Sequence, residues 1–171
     1  IECAKRLNRE KPLTLTDYIS EYYTEDNRRV AVLFWADWHY GMTTDNIWNT
    51  FNVEICKHRI AETVTKTIEY LKQFKITELI IVALGDLAHG ALHSTCRIAS
   101  EEETCDQLMH VSELIAQAIG ELSEHVNSIE FYSCYGNHLR TIQDKKDSIH
   151  SDNMEKKKIY YINCKKSKKG E

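Results

Sequence analysis

The stretch LIIVALGDLAH, residues 79–89, joins a continuous apolar run to a turn that carries an acid and an imidazole. Six consecutive apolar residues (79–84) predict a strand that is covered on both faces. Gly85 provides the turn, so that Asp86 and His89 follow the carboxyl end of that strand. In open α/β sheets this end is where ligands bind, so the stretch predicts both an α/β fold and the place of a site.

Two other stretches repeat this arrangement. VAVLFWA (residues 30–36) precedes DWH (37–39), and IEFYSCY (129–135) precedes GNH (136–138). The acidic or amide residues of successive motifs lie 49 and 51 residues apart, which leaves room each time for one strand and one crossover helix. We therefore predict three parallel strands that end in three polar motifs, and we expect the 30–36 strand to be central.

Amphipathic helices are predicted in the two intervals. Apolar residues recur at three- and four-residue steps over residues 53–74, and a longer apolar stripe runs through residues 101–125. A capping box of Ser100 with Glu103 is expected to start the second helix. The result is a parallel βαβαβ unit with right-handed crossovers.

Composition limits the class of protein. The 171 residues are 42% hydrophobic, which suits one domain with one core, and no apolar run is long enough to span a membrane. No signal-peptide pattern opens the sequence, so we expect a cytoplasmic protein. The six cysteines form no C-x-x-C pair, which argues against a zinc ribbon or a disulfide framework and favours reduced thiols.

Charge is unevenly distributed along the chain. Residues 1–139 carry a net charge of −9 and residues 140–171 a net charge of +5. We divide the chain into an N-terminal segment without chemistry (1–29), an α/β domain (30–155) and a lysine-rich tail (156–171). The tail is either a solvated end or a contact for nucleic-acid phosphates.

Each motif has a plain structural interpretation when taken alone. An Asp beside a His is usually a surface pair, and Gly-Asp or Gly-Asn sequences are common in turns. Their shared position at strand ends is what indicates a metal site. Carboxylate, amide and imidazole groups are ligands for cations such as Mn²⁺, Fe²⁺ and Zn²⁺.

Together, Asp37-x-His39, Gly85-Asp86-x-x-His89 and Gly136-Asn137-His138 resemble the first three signature blocks of the calcineurin-like metallophosphoesterases. The resemblance covers roughly residues 30–140. A His three residues after the bridging Asp resembles the repair-nuclease branch of that superfamily. The stretches at residues 40–45 and 148–155 also look like those of phage-encoded proteins described as DNA-repair exonucleases.

The resemblance implies a layered α/β sandwich, of which this chain holds the N-terminal half. It also implies two divalent metal ions, with Mn²⁺ as the preferred metal and Fe or Zn as alternatives. It makes Asp37 and His39 ligands of the first metal, Asp86 the bridging ligand and Asn137 a ligand of the second. His89 and His138 would face the scissile phosphate as catalytic residues. The implied activity is phosphodiester hydrolysis on DNA, as a nuclease or exonuclease in repair or phage DNA metabolism.

Other assignments remain open. Arg140 either binds a substrate phosphate or pairs with Asp144 at the surface. Among enzymes, the alternative is a phosphatase or a small-nucleotide phosphodiesterase. The alternative to an enzyme is a truncated, non-catalytic module that binds a metal or a partner. The chain could also form a homodimer.

The family pattern continues with another His and a Gly-His-x-His block, and both are absent from this sequence. Three explanations compete: a fragment of a longer protein, a naturally truncated gene, or completion of the site by His150 or by another chain. The first residue is Ile1 rather than Met, which favours the fragment, and we expect His150 to be a surface residue.

Overall fold

The computed structural model describes residues 28–144, 146–147 and 152–156. In chain order, the elements are β1 (Val30–Trp35), β2 (Thr44–Asp45), β3 (Thr50–Phe51), α1 (Val53–Gln73), β4 (Glu78–Ala83), α2 (Ser94–Ile98), α3 (Thr104–Leu122) and β5 (Ser128–Ser133). The predicted strands and both long helices are therefore present, with ends that differ from the prediction by at most three residues. His150, the N-terminal 27 residues and almost all of the lysine-rich tail lie outside the described residues.

The sheet is parallel and has the strand order β1-β4-β5. Val30 of β1 pairs with Glu78 of β4, which in turn pairs with Ser128 of β5, so the three strands end at nearly the same level. The prediction that the 30–36 strand is central is wrong, because β4 occupies the centre of the described sheet. Val32 and Phe34 on β1 are 52% and 61% exposed, whereas Ile81 and Ala83 on β4 are fully buried.

Both long helices cover one face of the sheet. Both crossovers advance in the same direction, from β1 to β4 and from β4 to β5, and right-handed connections then place both helices on the same side. Leu79 and Ile81 of β4 pack there against the apolar stripes of α1 and α3, which include Ile60, Val64 and Ile115. The structure is thus mixed α/β with one helical layer over the parallel sheet in its described part.

The two long helices begin in different ways. The side chain of Asn52 caps α1 by accepting a hydrogen bond from the backbone N–H of Ile55 at 2.8 Å. The expected capping box of α3 is wrong: Glu103 itself is the N-cap residue and makes no side-chain capping bond. Ser100 is used elsewhere, because its Oγ accepts a hydrogen bond from Gln107 Nε2 at 2.9 Å.

None of the helices in the described residues is both long and apolar enough to cross a membrane. The four cysteines there, Cys56, Cys96, Cys105 and Cys134, are free thiols, as the sequence predicts.

Candidate metal centre

Three loops at the carboxyl end of the sheet build the candidate site: the β1 loop (residues 36–42), the β4 loop (84–91) and the β5 loop (134–140). Backbone hydrogen bonds prolong the β1–β4 pairing into the first two loops. The N–H groups of Asp37, His39 and Tyr40 donate to the β4 loop at 3.0–3.2 Å, and the N–H of His89 donates back to Tyr40 O at 2.9 Å. The first two motifs are therefore held side by side by the backbone itself.

Backbone conformation at the motifs is unusual. Asp37, His39 and Asp86 have φ angles of 53°, 44° and 53°, in the left-handed region that non-glycine residues seldom adopt. Such conformations cost about 1–3 kcal/mol each and cluster at functional sites. Three of the predicted site residues are thus held in a conformation that the surrounding hydrogen bonds must maintain.

The β5 loop comes close to the β4 loop. A Cβ atom added to Gly136 would lie 2.0 Å from Asp86 Oδ1 and 2.3 Å from Asp86 N, so only glycine fits there without a shift. The backbone N–H of His138 donates to Asp86 Oδ1 at 2.9 Å. One oxygen of the Asp86 carboxylate therefore orients the loop that carries His138.

Three imidazoles converge where the loops meet. The rings of His39, His89 and His138 have centroids 4.6–5.9 Å apart, and one nitrogen from each ring can be chosen so that all three lie within 4.8 Å of one another. The sequence prediction treated His39 as a metal ligand and the other two as catalytic. In the structure the three rings form one group of possible ligands, which leaves that division of roles a prediction.

Unpaired nitrogens show that this group suits a cation. Among the described residues, His39 Nδ1 and both ring nitrogens of His89 are buried without a hydrogen-bond partner. Buried polar atoms are nearly always paired, and a site for an ion is one reason for an exception. His138 Nδ1 lies 2.7 Å from the carbonyl oxygen of His89, so it carries the proton and donates, which leaves Nε2 as the ring's acceptor or ligand atom.

The electrostatic environment favours the neutral form of His39 and His89. Burial, followed by the neighbouring His138 and His39, lowers the pKa of His89 to about 4. Burial and His138 also lower the pKa of His39, although Asp86 and Asp37 act in the opposite direction. Neutral imidazole is the form that binds metals, so the lowered pKa values of His39 and His89 favour the ligand form of both rings.

The other predicted site residues surround this group unequally. Asp37 has a largely exposed side chain whose Oδ1 lies 3.5 Å from His39 Nε2. Asn137 is exposed, between Gly136 and His138. Arg140 donates from Nε to Asn137 O at 3.1 Å and from Nη2 to Gln143 O at 3.4 Å, so in this structure its guanidinium supports the loop.

Several residues near the site were given no role from the sequence. The Cys96 thiol on α2 is buried 4.0 Å from His138 Nδ1, and the His93 ring lies 6.3 Å from that of His138. Gln107 on α3 is fully buried, accepts from the N–H of Gly90 at 2.8 Å and donates to Glu102 O at 2.8 Å. No local pattern reveals these contacts, because each joins residues from separate elements.

An acidic cavity of about 440 Å³ lies beside the β4 loop. It is lined by Ala91, Arg97, Ser100, Glu101, Glu102, Glu103 and Thr104. Three consecutive glutamates repel an anion, so this cavity does not suit a phosphate group. The three histidines lie outside its lining.

Comparison with known proteins shows a distant relationship to a prophage-derived protein. The chain is 26% identical over 140 residues to the SPbeta prophage-derived uncharacterized protein YonJ of Bacillus subtilis (strain 168). The match covers 80% of this chain and 35% of that protein, so the chain spans about a third of its relative's length. No family model matches the chain, and no solved structure matches it.

Proposed function

We propose that this chain carries the centre of a metal-dependent phosphoester hydrolase, with the phosphodiester bonds of DNA as the substrate. The observation that carries the proposal is the convergence of His39, His89 and His138 with buried, unpartnered ring nitrogens. The resemblance of the three motifs to the metallophosphoesterases supplies the reaction class.

The proposal assigns a role to each residue of the site. His39, His89 and His138 would hold the first cation, and Asp37, Asp86 and Asn137, which belong to the same three loops, would contribute ligands to a second one. A bound divalent cation activates water and stabilises negative charge on the phosphoryl group. The hydrogen bond from His138 Nδ1 to His89 O fixes the tautomer and orientation of that ring.

A small phosphoester is the second candidate substrate. The net charge of −9 over residues 1–139 and the three glutamates beside the β4 loop repel the DNA backbone, whereas a small substrate meets only the cation site. Salt separates the two, because binding to DNA weakens steeply with salt through counterion release.

The test is calorimetric titration of Mn²⁺ into the chain, with hydrolysis of bis-p-nitrophenyl phosphate and p-nitrophenyl phosphate followed in the same samples. We expect Mn²⁺ binding and diester hydrolysis in the unmodified chain, and a loss of at least tenfold in both in His89→Ala. His58→Ala is the matched control, since His58 is an exposed imidazole on α1 that does not belong to the group of three histidines. Wild-type protein that neither binds Mn²⁺ nor hydrolyses either ester refutes the proposal.

A labelled single-stranded oligonucleotide then identifies the substrate class. For DNA, fluorescence anisotropy gives an affinity that falls by at least tenfold between 50 and 200 mM salt, the behaviour of a protein with several phosphate contacts. Absence of oligonucleotide binding, together with hydrolysis of the nitrophenyl esters, assigns the centre to a small substrate.

A further inference from the structure

Glu155 joins two of the site loops across a long stretch of sequence. Its side chain is 99% buried, with Oε1 accepting a hydrogen bond from the backbone N–H of Leu87 at 3.2 Å and Oε2 accepting one from the N–H of Gly136. Leu87 follows Asp86, and Gly136 lies two residues before His138. One carboxylate thus spans the gap between the β4 loop and the β5 loop.

The chain around Glu155 is attached to the β5 loop. Asn153 donates from Nδ2 to Gly136 O at 2.8 Å and accepts from the N–H of Glu155 at Oδ1, at 2.9 Å. The N–H of Met154 donates to Leu139 O at 2.9 Å. Glu155 therefore reaches its two donors from a backbone that is itself attached to the β5 loop.

A carboxylate is the side chain that suits this position. Two N–H groups from different loops point at it, and a carboxylate has an acceptor oxygen for each of them. An amide of the same shape has one oxygen and one NH₂ group, so one of the two N–H groups would meet another donor. Hydrogen bonds to an ionised acceptor are also about twice as strong as neutral ones.

We propose that Glu155 is a positioning residue that sets the spacing between the loop of Asp86 and the loop of His138, and through it the affinity of the metal centre. The metal part of this inference rests on the proposed function. The part that concerns loop spacing rests on the two hydrogen bonds alone. Outer groups that orient ligands typically change metal affinity by 10- to 100-fold when they are replaced.

The experiment compares Glu155→Gln with Glu101→Gln in the full chain. Glu101 is a matched control, because its Oε2 also accepts a backbone N–H bond, from Val53 at 2.7 Å, but at the start of α1. Two quantities are measured for each protein: the Kd for Mn²⁺ by calorimetry, and amide hydrogen exchange at Leu87 and Gly136 by nuclear magnetic resonance.

In Glu155→Gln we expect a 10- to 100-fold weaker Kd for Mn²⁺ and at least tenfold faster exchange at Leu87 or Gly136. In Glu101→Gln we expect both quantities to stay within twofold of wild type. Glu155→Gln with wild-type affinity, or with unchanged exchange at both amides, overturns the inference. If the wild-type chain binds no Mn²⁺, the proposed function fails, and amide exchange still decides the positioning role.

If Glu155→Gln does not fold, amide exchange in the wild-type protein tests the inference. Protection of the Leu87 and Gly136 amides should there approach that of Ile81 in the central strand, because both amides are bonded to a buried group. Exchange at the rate of an exposed amide overturns the inference.

Discussion

Substitution of Gly136 by alanine should separate the two loops that carry Asp86 and His138. The added Cβ would lie 2.0 Å from Asp86 Oδ1 and 2.5 Å from Asp86 Cγ, where ordinary contacts are 3.4–4 Å. The loops must therefore move apart by roughly 1 Å or more, whereas metal–ligand distances tolerate only about 0.2 Å. Such a movement also breaks the bond from His138 N–H to Asp86 Oδ1.

The energetic cost follows from the same contacts. Overpacking of a tight site costs about 1–3 kcal/mol, and loss of a hydrogen bond to a charged group adds about 1.5–3 kcal/mol. For a chain of this size, a loss of about 3 kcal/mol lowers Tm by roughly 6–12 °C. We therefore expect Gly136→Ala to lower Tm measurably and to weaken Mn²⁺ binding by more than tenfold.

The control for this prediction is Gly120→Ala. Gly120 lies near the end of α3, and a Cβ added there meets nothing within 4 Å. Alanine in a helix is more favourable than glycine by about 0.5–1 kcal/mol, so Tm should rise by a few degrees. Calorimetric titration with Mn²⁺ and thermal unfolding by circular dichroism measure both effects. Gly136→Ala that binds Mn²⁺ within twofold of wild type refutes the spacing argument.

Two other predictions concern the hydrogen bonds of Gln107 and the apolar core of α3. Gln107→Leu removes the acceptor for the N–H of Gly90 and the donor for Glu102 O. Each buried group left unpaired costs about 1–3 kcal/mol, so urea denaturation should show a free energy of unfolding lower by at least about 2 kcal/mol. An unchanged denaturation midpoint contradicts the role of Gln107. Leu122→Ala should lower the free energy of unfolding by about 2–5 kcal/mol, because Leu122 is fully buried. Met109→Ala on the same helix should cost far less, because Met109 is 44% exposed. Equal losses in the two variants contradict the assigned core face of α3.

The sequence predicted the strands well because their signal is local. Continuous apolar runs at residues 79–84 and 30–36 gave β4 and β1 to within one residue at each end, and 3.6-residue periodicity gave both long helices. The position of β1 in the sheet was predicted wrongly. An apolar run indicates burial, but strand order depends on the direction of each crossover, which local composition does not encode.

The site was predicted in part. The spacing of the motifs predicted that His39, Asp86 and His138 would meet, and the structure brings them together. The bonds that Glu155 and Gln107 accept could not be predicted, because the backbone N–H groups that donate them lie 17 to 68 residues away along the chain. The division of roles among the three histidines remains a prediction.

The separation of the three imidazoles along the chain has a kinetic consequence. His39, His89 and His138 belong to different loops, and each loop follows a different strand of the sheet. The rings cannot meet until both crossovers have closed, and closure of such long connections is slow and entropically costly. A cation that needs all three rings therefore selects fully assembled molecules over partly folded ones. During refolding, the appearance of high-affinity Mn²⁺ binding should coincide with the final step rather than with early helix formation.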